Sequence, residues 1–315
     1  MKSFNESLNF FDAMLSGKLS EQDIVSALIE MSQQKEDPAC VAALAKAMLK
    51  NARLIDYRGN CLDIVGTGGD NSNSFNISTA ASIVCSLHVR VAKHGNKAVS
   101  SLSGAADILE ALGVKIEQEK EEIIENLEKK NFAFLFAPHW HPKLKPIMPI
   151  RKKIGKRTIF NLVGPLCNPI NPAYKMIGVF SKEYLPVYLE AVDILDFQNV
   201  VLVASDMDEV SLSDVTLCYQ KKGPYIKKFE FDPREFSIYA PKDSVKGFDA
   251  KTNAKILKEV FLGEHDVLSD AIAINCAFAY LVAGVEDNLK QGFLLAKEAI
   301  KNRKAYDKLM EITND

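Results

Sequence analysis

The chain has 315 residues, 47% of them hydrophobic and 25% charged, with a formal net charge of −2. That composition supports a full core and excludes a disordered chain, and the near-neutral balance argues against a general nucleic-acid binder. The length fits one large domain with an appendage, or two domains.

Residues 1–60 are predicted to be helical. LSEQDIVSALIEMSQQ opens with Ser20 as N-cap and Asp23 three residues on, and Ile24, Ala27, Leu28 and Met31 share one face. EDPACVAALAKAMLKNARL starts with Asp37 as cap and Pro38 at the first helical position. The apolar face of such a unit can cover a larger domain or a partner subunit. From Cys61 onward strands alternate with helices. Strands are expected at Leu62–Val65, Val89–Ala92, Phe132–Ala137, Met176–Phe180 and Val200–Ala204, and helices at Ile77–Ser86, Ala105–Leu112, Glu119–Lys130 and Lys182–Leu195. Several strands are apolar on both faces, as in a parallel sheet covered by helices. This alternation predicts an α/β fold.

Six cysteines (Cys40, Cys61, Cys85, Cys167, Cys218 and Cys276) lack C-x-x-C spacing, which points to core residues in a reducing compartment rather than a zinc site. No apolar run approaches membrane-spanning length, and MKSFNESLNF lacks a signal-peptide core. A soluble, cytoplasmic protein with no membrane partner is expected.

Ligands of parallel sheets bind beyond the C-terminal strand ends. The segments just past the predicted strands are polar and turn-rich: GTGGD, KHGN, PHWHPK and SDMDE. In LDIVGTGGDNSNSFNIST an apolar strand meets a glycine turn and then a helix start, an arrangement that offers backbone N–H groups and a helix dipole to a phosphate. It is neither a dinucleotide fingerprint nor a P-loop. KHGNKAVSSLSGAADILEALG repeats the logic, with Lys93 as cation, Asn96, Ser100 and Ser101 as donors, and Ser103–Gly104 leading into a helix near Ala105. Two such sites on one rim suit a ligand with two phosphate groups. Asp206, Asp208 and Glu209 just past a buried strand suit Mg²⁺, held by carboxylates together with substrate phosphates.

Between Glu128 and Glu183 there is no acid, and eleven Lys or Arg occur, with seven of the twelve prolines falling in residues 138–172. This basic stretch fits an anionic ligand; nucleic acid is the rival, with few aromatics nearby for stacking. His139 and His141 lack a third metal ligand close in sequence, so hydrogen bonding or packing is expected of them. No nucleophile elbow or Cys–His pair is present. Phosphate cradles, a Mg²⁺ site and no covalent catalyst suit group transfer from an activated phosphorylated donor.

GTGGD, NIST, KHGN, SGAADILEALG, APHWHPKLK, IRKKIGKRTIFNLVGPLCNP and DMDE occur in the order seen in the anthranilate phosphoribosyltransferase family, which the chain resembles from its helical N-terminus nearly to its end. The resemblance implies transfer of 5-phosphoribose from phosphoribosyl pyrophosphate to the amine of anthranilate, giving N-(5-phosphoribosyl)anthranilate and pyrophosphate in tryptophan biosynthesis, with Mg²⁺. By motif position it places Gly66, Thr67, Gly68, Gly69, Asp70, Ser74, Asn76, Ser78, Thr79, Lys93, His94, Gly95, Asn96, Lys97, Ser100, Ser101 and Ala105 at the donor. It places Ser78, Asp208 and Glu209 at Mg²⁺, the two acids acting through the metal, and Gly66, Asn96, His141 and Arg151 at anthranilate. It further implies a large, mainly parallel α/β domain (61–315) and a small all-helical domain (1–60, completed by helices around 151–172), with homodimerisation through the helical part. Lys97 and Leu102 stand where the family often has arginine, and Ser74 where it usually has threonine; the two basic-residue changes are expected to weaken donor contacts. Two rival assignments share the fold: a pyrimidine nucleoside phosphorylase-like enzyme, whose signature differs from KHGN and RTIFN, and a non-catalytic nucleic-acid-binding relative, which intact GTGGD and DMDE disfavour.

Overall fold

The computed structural model describes residues 3–314 other than 34–35, 71 and 99–101. Three helices open the chain: α1 (Phe4–Leu15), α2 (Glu21–Ser32) and α3 (Pro38–Lys50). Their starts are set by short polar side chains. The Asp23 amide donates to Ser20 Oγ at 3.2 Å, and the Ala39 amide donates to Asp37 Oδ1 at 2.8 Å beside Pro38. Next come β1 (Leu62–Gly66), α4 (Ile77–Cys85), β2 (Val91–Gly95), α5 (Ala105–Leu112), α6 (Lys120–Lys129) and β3 (Phe132–Phe136). The short α7 (Ala137–Trp140), α8 (Ile147–Ile154) and α9 (Phe160–Val163) lead to β4 (Tyr174–Gly178), α10 (Leu185–Ile194) and β5 (Asn199–Ala204). A hairpin, β6 (Thr216–Lys222) and β7 (Tyr225–Phe231), precedes α11 (Ala250–Phe261), α12 (Asp266–Ala283), α13 (Leu289–Lys301) and α14 (Lys304–Thr313).

The sheet order is β3-β2-β1-β4-β5-β6-β7. The first five strands are parallel, and β6 and β7 add antiparallel. The chain steps outward from β1 through β2 to β3, then returns to lay β4 against the other side of β1. That reversal is the switch point at which such sheets bind ligands.

The side-chain alternation of the strands divides the core. Leu62, Ile64, Met176, Val201 and Val203 face a cluster built with α4, α5 and α11–α14. Ile177, Val179, Val200, Leu202 and Ala204 face a second cluster, with α1–α3 and the α8–α10 region. Under β2 and β3, Ala92, Ala133 and Leu135 meet Ile123, Leu127 and Trp140. Asp63 in β1, opposite Lys175 in β4, is a buried charge within the strand layer. It is satisfied by the His94 amide at 3.2 Å and Asn168 Nδ2 at 2.9 Å.

Several boundaries differ from expectation. β2 starts at Val91 because the Val89 amide closes the α4 end on Cys85 O at 3.0 Å. Lys93 and His94 are therefore strand residues rather than loop. β3 stops at Phe136, where Pro138 starts α7, and β4 spans Tyr174–Gly178 instead of Met176–Phe180. The expected helix from Lys182 is a 3₁₀ turn (Lys182–Tyr184) followed by α10. The β6–β7 hairpin had no counterpart in the sequence expectation. Its lysine-rich strands carry no continuous apolar run, β7 forms the sheet edge, and the turn relies on Gly223 at φ +57°.

The expected absence of a membrane-length apolar segment needs correction. α12 is long and apolar enough, by length and composition, to cross a bilayer. It packs against α4, α13 and the sheet, and most of it is buried there. A helix apolar all round suits the centre of a protein as well as it suits lipid.

The loop after β5 folds back over the sheet end. Gly66 and Gly178 are register partners at the tips of β1 and β4, and a Cβ on either would strike Asp208. At Gly178 the obstruction is the Asp208 backbone carbonyl, which cannot rotate away. Gly178→Ala should therefore destabilise the fold by about 1–3 kcal/mol. Gly164→Ala, at a position where a Cβ meets nothing, should stay within about 0.5 kcal/mol of the parent. Thermal melts of both variants check this; equal melting temperatures would refute the packing argument.

Candidate active site

Three segments converge on the switch point. The first comes directly after β1. Gly68 and Gly69 take φ of +64° and +75°, a backbone that L side chains rarely adopt, and the Gly68 amide donates to Asp208 Oδ2 at 2.7 Å. Thr67 ties this turn to β4: its amide donates to Gly178 O at 2.9 Å, and its Oγ1 accepts from the Phe180 amide at 3.0 Å. Asp70 Oδ2 accepts from the Asp208 amide at 3.1 Å.

Beyond Asn76, α4 begins with its N–H groups directed at the site. The Ser78 amide donates to Glu209 Oε1 at 3.0 Å, and Ser74 Oγ reaches Glu209 Oε2 at 3.4 Å. A carboxylate thus sits where a helix start attracts anions. Thr79 Oγ1 is buried with no hydrogen-bond partner among the described residues, so a polar group at the start of α4 is left unsatisfied there.

The second segment is the end of β2 and the loop to α5. Lys93, 1% exposed, donates from Nζ to Ile64 O at 2.7 Å and lies 3.5 Å from Ser78 Oγ. The loop closes on Asp107, whose Oδ2 accepts the Ala98 and Gly104 amides at 2.7 and 2.9 Å. A Cβ on Gly104 would meet Ala98 N at 2.5 Å, so only glycine fits. Gly95 is confined by the Phe134 ring and Ala105. Asn96 is exposed, its Oδ1 accepting from the Lys97 amide at 2.8 Å. Lys97 is paired with Glu110 at 2.9 Å, and Leu102 is 60% exposed. Ser100 and Ser101 lie outside the described residues.

The third segment, after β5, carries the acids. Burial and the neighbouring negative Asp70 raise the Asp208 carboxyl to about 7, against the pull of the Gly68 amide. Burial, Asp208 and Asp70 push Glu209 well above the usual carboxylate range, with the Ser78 amide and Lys93 opposing. Lys93 is pushed down to about 8 by burial, while Asp63, Glu209 and Asp208 hold it up. Crowded acids around one ammonium hold their protons, and a hard cation placed among them would let them ionise. Asp206 points elsewhere, accepting from Ser213 Oγ at 2.8 Å and lying 3.7 Å from Lys242. It does not join Asp208 and Glu209.

The residues expected at the acceptor are more dispersed. His141 is buried, with Nε2 2.9 Å from Cys167 O and its ring 5.3 Å from that of His94. Burial lowers it to about 4, so it is neutral at pH 7. The Cys167 carbonyl then requires the proton on Nε2. His94 is also lowered well below its ordinary value, by burial and by His141. Arg151 on α8 lies 5.0 Å above the Phe160 ring, with Nη1 3.7 Å from Met148 Sδ. The structure joins His94 to His141 but shows no contact between Arg151 and the carboxylate cluster among the described residues.

Sequence reasoning counted Arg157 only as one more basic residue. Its guanidinium stacks 3.2 Å from the Phe180 ring centre, beside the rim, and its Nε and Nη2 are buried without hydrogen-bond partners among the described residues. RTIFN was the available signal. Asp63, Lys175 and Asn168 were also missed; a charged residue in the middle of LDIVG and YKMIG marked two of them.

Comparison with known proteins agrees with this geometry. Residues 58–306 match the glycosyl transferase family, a/b domain. Anthranilate phosphoribosyltransferase from Caldicellulosiruptor saccharolyticus is 37% identical over 96% of this chain and 91% of its own. That from Pelagibacter ubique is 38% identical over 99% and 96%. Among solved structures, the Thermus thermophilus enzyme superposes with a TM-score of 0.92 at 35% identity, covering 99% of this chain and 95% of that one. The Saccharomyces cerevisiae enzyme in complex with PRPP and Mg gives 0.90 at 30% identity, covering 99% and 92%. With glycine turns, helix starts and buried acids gathered at the switch point and this likeness over nearly its whole length, the chain belongs to the anthranilate phosphoribosyltransferase family.

Proposed function

We propose that this chain transfers the 5-phosphoribosyl group of phosphoribosyl pyrophosphate to the amine of anthranilate, releasing pyrophosphate, as a cytoplasmic enzyme of tryptophan biosynthesis. One observation carries the reading: the glycine turn after β1, the start of α4 and a buried lysine meet a carboxylate cluster at the switch point of the sheet. Mg²⁺ suits that cluster by donor chemistry, since the oxygens of Asp208, Glu209 and Ser78 are hard ligands. Among the described residues no three His, Cys, Asp or Glu side chains chelate a cation unaided, which fits an ion that keeps waters and takes phosphate oxygens. Bound there, Mg²⁺ would neutralise charge on the departing pyrophosphate.

The protein's own groups divide the remaining work. The Gly66–Asp70 turn, the α4 start with Ser74, Asn76, Ser78 and Thr79, and the Lys93–Ala105 segment present backbone and side-chain donors to the phosphates. Lys93 supplies a fixed positive charge from beneath. The C1–O bond to pyrophosphate breaks, the amine nitrogen bonds to C1, and the amine then loses a proton. An aromatic amine needs orientation more than deprotonation, so the lack of a strong general base is no obstacle. Gly66, Asn96, neutral His141 and Arg151 would orient anthranilate. In this reading the helical part, residues 1–60 with the helices around 151–172, supplies the acceptor side, and residues 61–315 hold the donor. The basic stretch supports small-molecule over nucleic-acid chemistry. Lys175 is buried, Lys129, Lys153 and Lys182 pair with acids, and Arg157 is stacked. Loss of anthranilate fluorescence that depends on both the donor and Mg²⁺ tests the assignment; consumption with neither would refute it.

Asp208→Asn with Glu209→Gln should slow turnover and raise the Mg²⁺ requirement about tenfold or more, the loss of a charge-assisted contact. The melting temperature at pH 8 should hold or rise, because buried like charges are removed. Wild-type rates at limiting Mg²⁺ would make the pair a solvated cap.

Arg151→Ala should weaken anthranilate use by about 1.5–3 kcal/mol, roughly ten- to a hundredfold. Arg151→Lys should recover only part, since lysine keeps charge without the planar fork. Steady-state constants for both substrates decide it, and equal damage to donor and anthranilate kinetics would mean general support of the site.

The dimer is proposed to form through the helical part, where Ile29 is 41% exposed on α2. Ile29→Glu should lower the mass seen by sedimentation; a wild-type monomer at micromolar concentration would end the idea.

A further inference from the structure

The two helix starts belong to different βα units, yet their relative placement is not left to the loops. The segment before α11 runs beside the first phosphate loop. The Phe75 amide donates to Val245 O and the Gly247 amide to Asn73 O, both at 2.8 Å, and Ser74 and Lys246 form an antiparallel bridge. Gly247 is required here, since a Cβ would lie 2.5 Å from the Ser74 carbonyl oxygen. α11 then passes along α5, the helix of the second loop.

Asn253 on α11 joins the three. It is 1% exposed. Its Oδ1 accepts from the Phe248 amide at 2.9 Å, and its Nδ2 donates to Asn76 Oδ1 at 2.8 Å. Asn76 Nδ2 in turn donates to Ser103 O at 3.1 Å. Backbone groups at both ends fix the direction of this chain. A main-chain N–H can only donate, so Oδ1 of Asn253 faces Phe248 and its amide nitrogen faces Asn76. A main-chain carbonyl can only accept, so Asn76 must present nitrogen to Ser103. Neither amide can flip without setting two donors or two acceptors against each other. Asn76 stands at the N-cap of α4 yet makes no side-chain cap bond there; its amide serves the relay instead.

We propose that Asn253 is a positioning residue that aligns the two phosphate loops by fixing the orientation of the Asn76 amide and, through it, the Ser103 end of the second loop. The inference deepens the proposed function and rests on it, because it takes these helix starts as the donor site. Asn253 touches no substrate. Its role is to preset the spacing of two anion sites that one ligand must bridge, so that the cost of ordering them falls at folding rather than at binding.

Asn253→Asp keeps the volume and the bond from Phe248 and, as the carboxylate, removes the donor to Asn76; because it also adds charge, the uncharged Asn253→Ser is measured beside it. The Asp variant should raise the donor KM about ten- to a hundredfold. The anthranilate KM should stay within about twofold, and the melting shift induced by phosphoribosyl pyrophosphate with Mg²⁺ should shrink. Asn253→Ser, too short to span the gap, should give the same split and is read in its place if the Asp variant fails to fold. A folded variant with the wild-type donor KM and melting shift overturns the relay, as does equal damage to both substrate constants. If neither variant folds, Asn253 is a folding residue and the proposal fails. Wild-type protein lacking donor-dependent turnover would overturn the functional reading and this inference with it.

Discussion

Two adjacent strands end in glycine so that a third segment can lie across them. Gly66 and Gly178 pair in register at the tips of β1 and β4, and Asp208 occupies the space their side chains would need. Most of the site depends on this close approach. It brings the Asp208 carboxylate to the Gly68 amide and Glu209 to the start of α4. It also sets both acids near Asp70 and Lys93. Any Cβ at these tips would lift the β5 loop off the sheet and separate the acids from the cradles they serve.

The same approach makes the site electrostatically tense. Asp70, Asp208 and Glu209 crowd into partly or fully buried positions, with the Lys93 charge felt by Asp208 and Glu209, and both of these hold protons more tightly than free carboxyls do. A protein selected for stability alone would place amides here. The arrangement is sensible only for a ligand set that brings its own positive and negative charges, and a metal diphosphate does so. Thr79, buried with an unpartnered hydroxyl on the first turn of α4, belongs to the same pattern of groups left unsatisfied by the protein itself.

On the opposite face of the sheet, Asp63 is held by the His94 amide and Asn168 Nδ2, while His94 packs against His141. This buried polar layer connects the strand ends to the segment that carries α7–α9. Arg157, stacked on Phe180 and close enough to Glu36 to feel its charge, extends the connection toward the N-terminal helices. Polar and aromatic contacts thus run from the rim toward the N-terminal helices.

The sequence alone determined the local chemistry: caps at Ser20 and Asp37, glycine turns leading into helix starts, acids after a buried strand, and the alternation that makes an α/β sheet. These are legible because each depends on neighbours within one turn or one strand. It also showed the order of motifs shared with a known enzyme family. It did not show that Asp206 turns away from Asp208 and Glu209, since all three are equally acidic on paper and only Ser213 and Lys242 separate them. It did not reveal the β6–β7 hairpin, whose strands lack the apolar runs of the parallel ones, or that the apolar α12 is largely buried in the core. Nor did it connect Asn253 with Asn76, 177 residues away along the chain. Tertiary structure decided these points, because the packing of distant segments against one sheet end sets which polar groups meet, and no local pattern encodes a partner that far away.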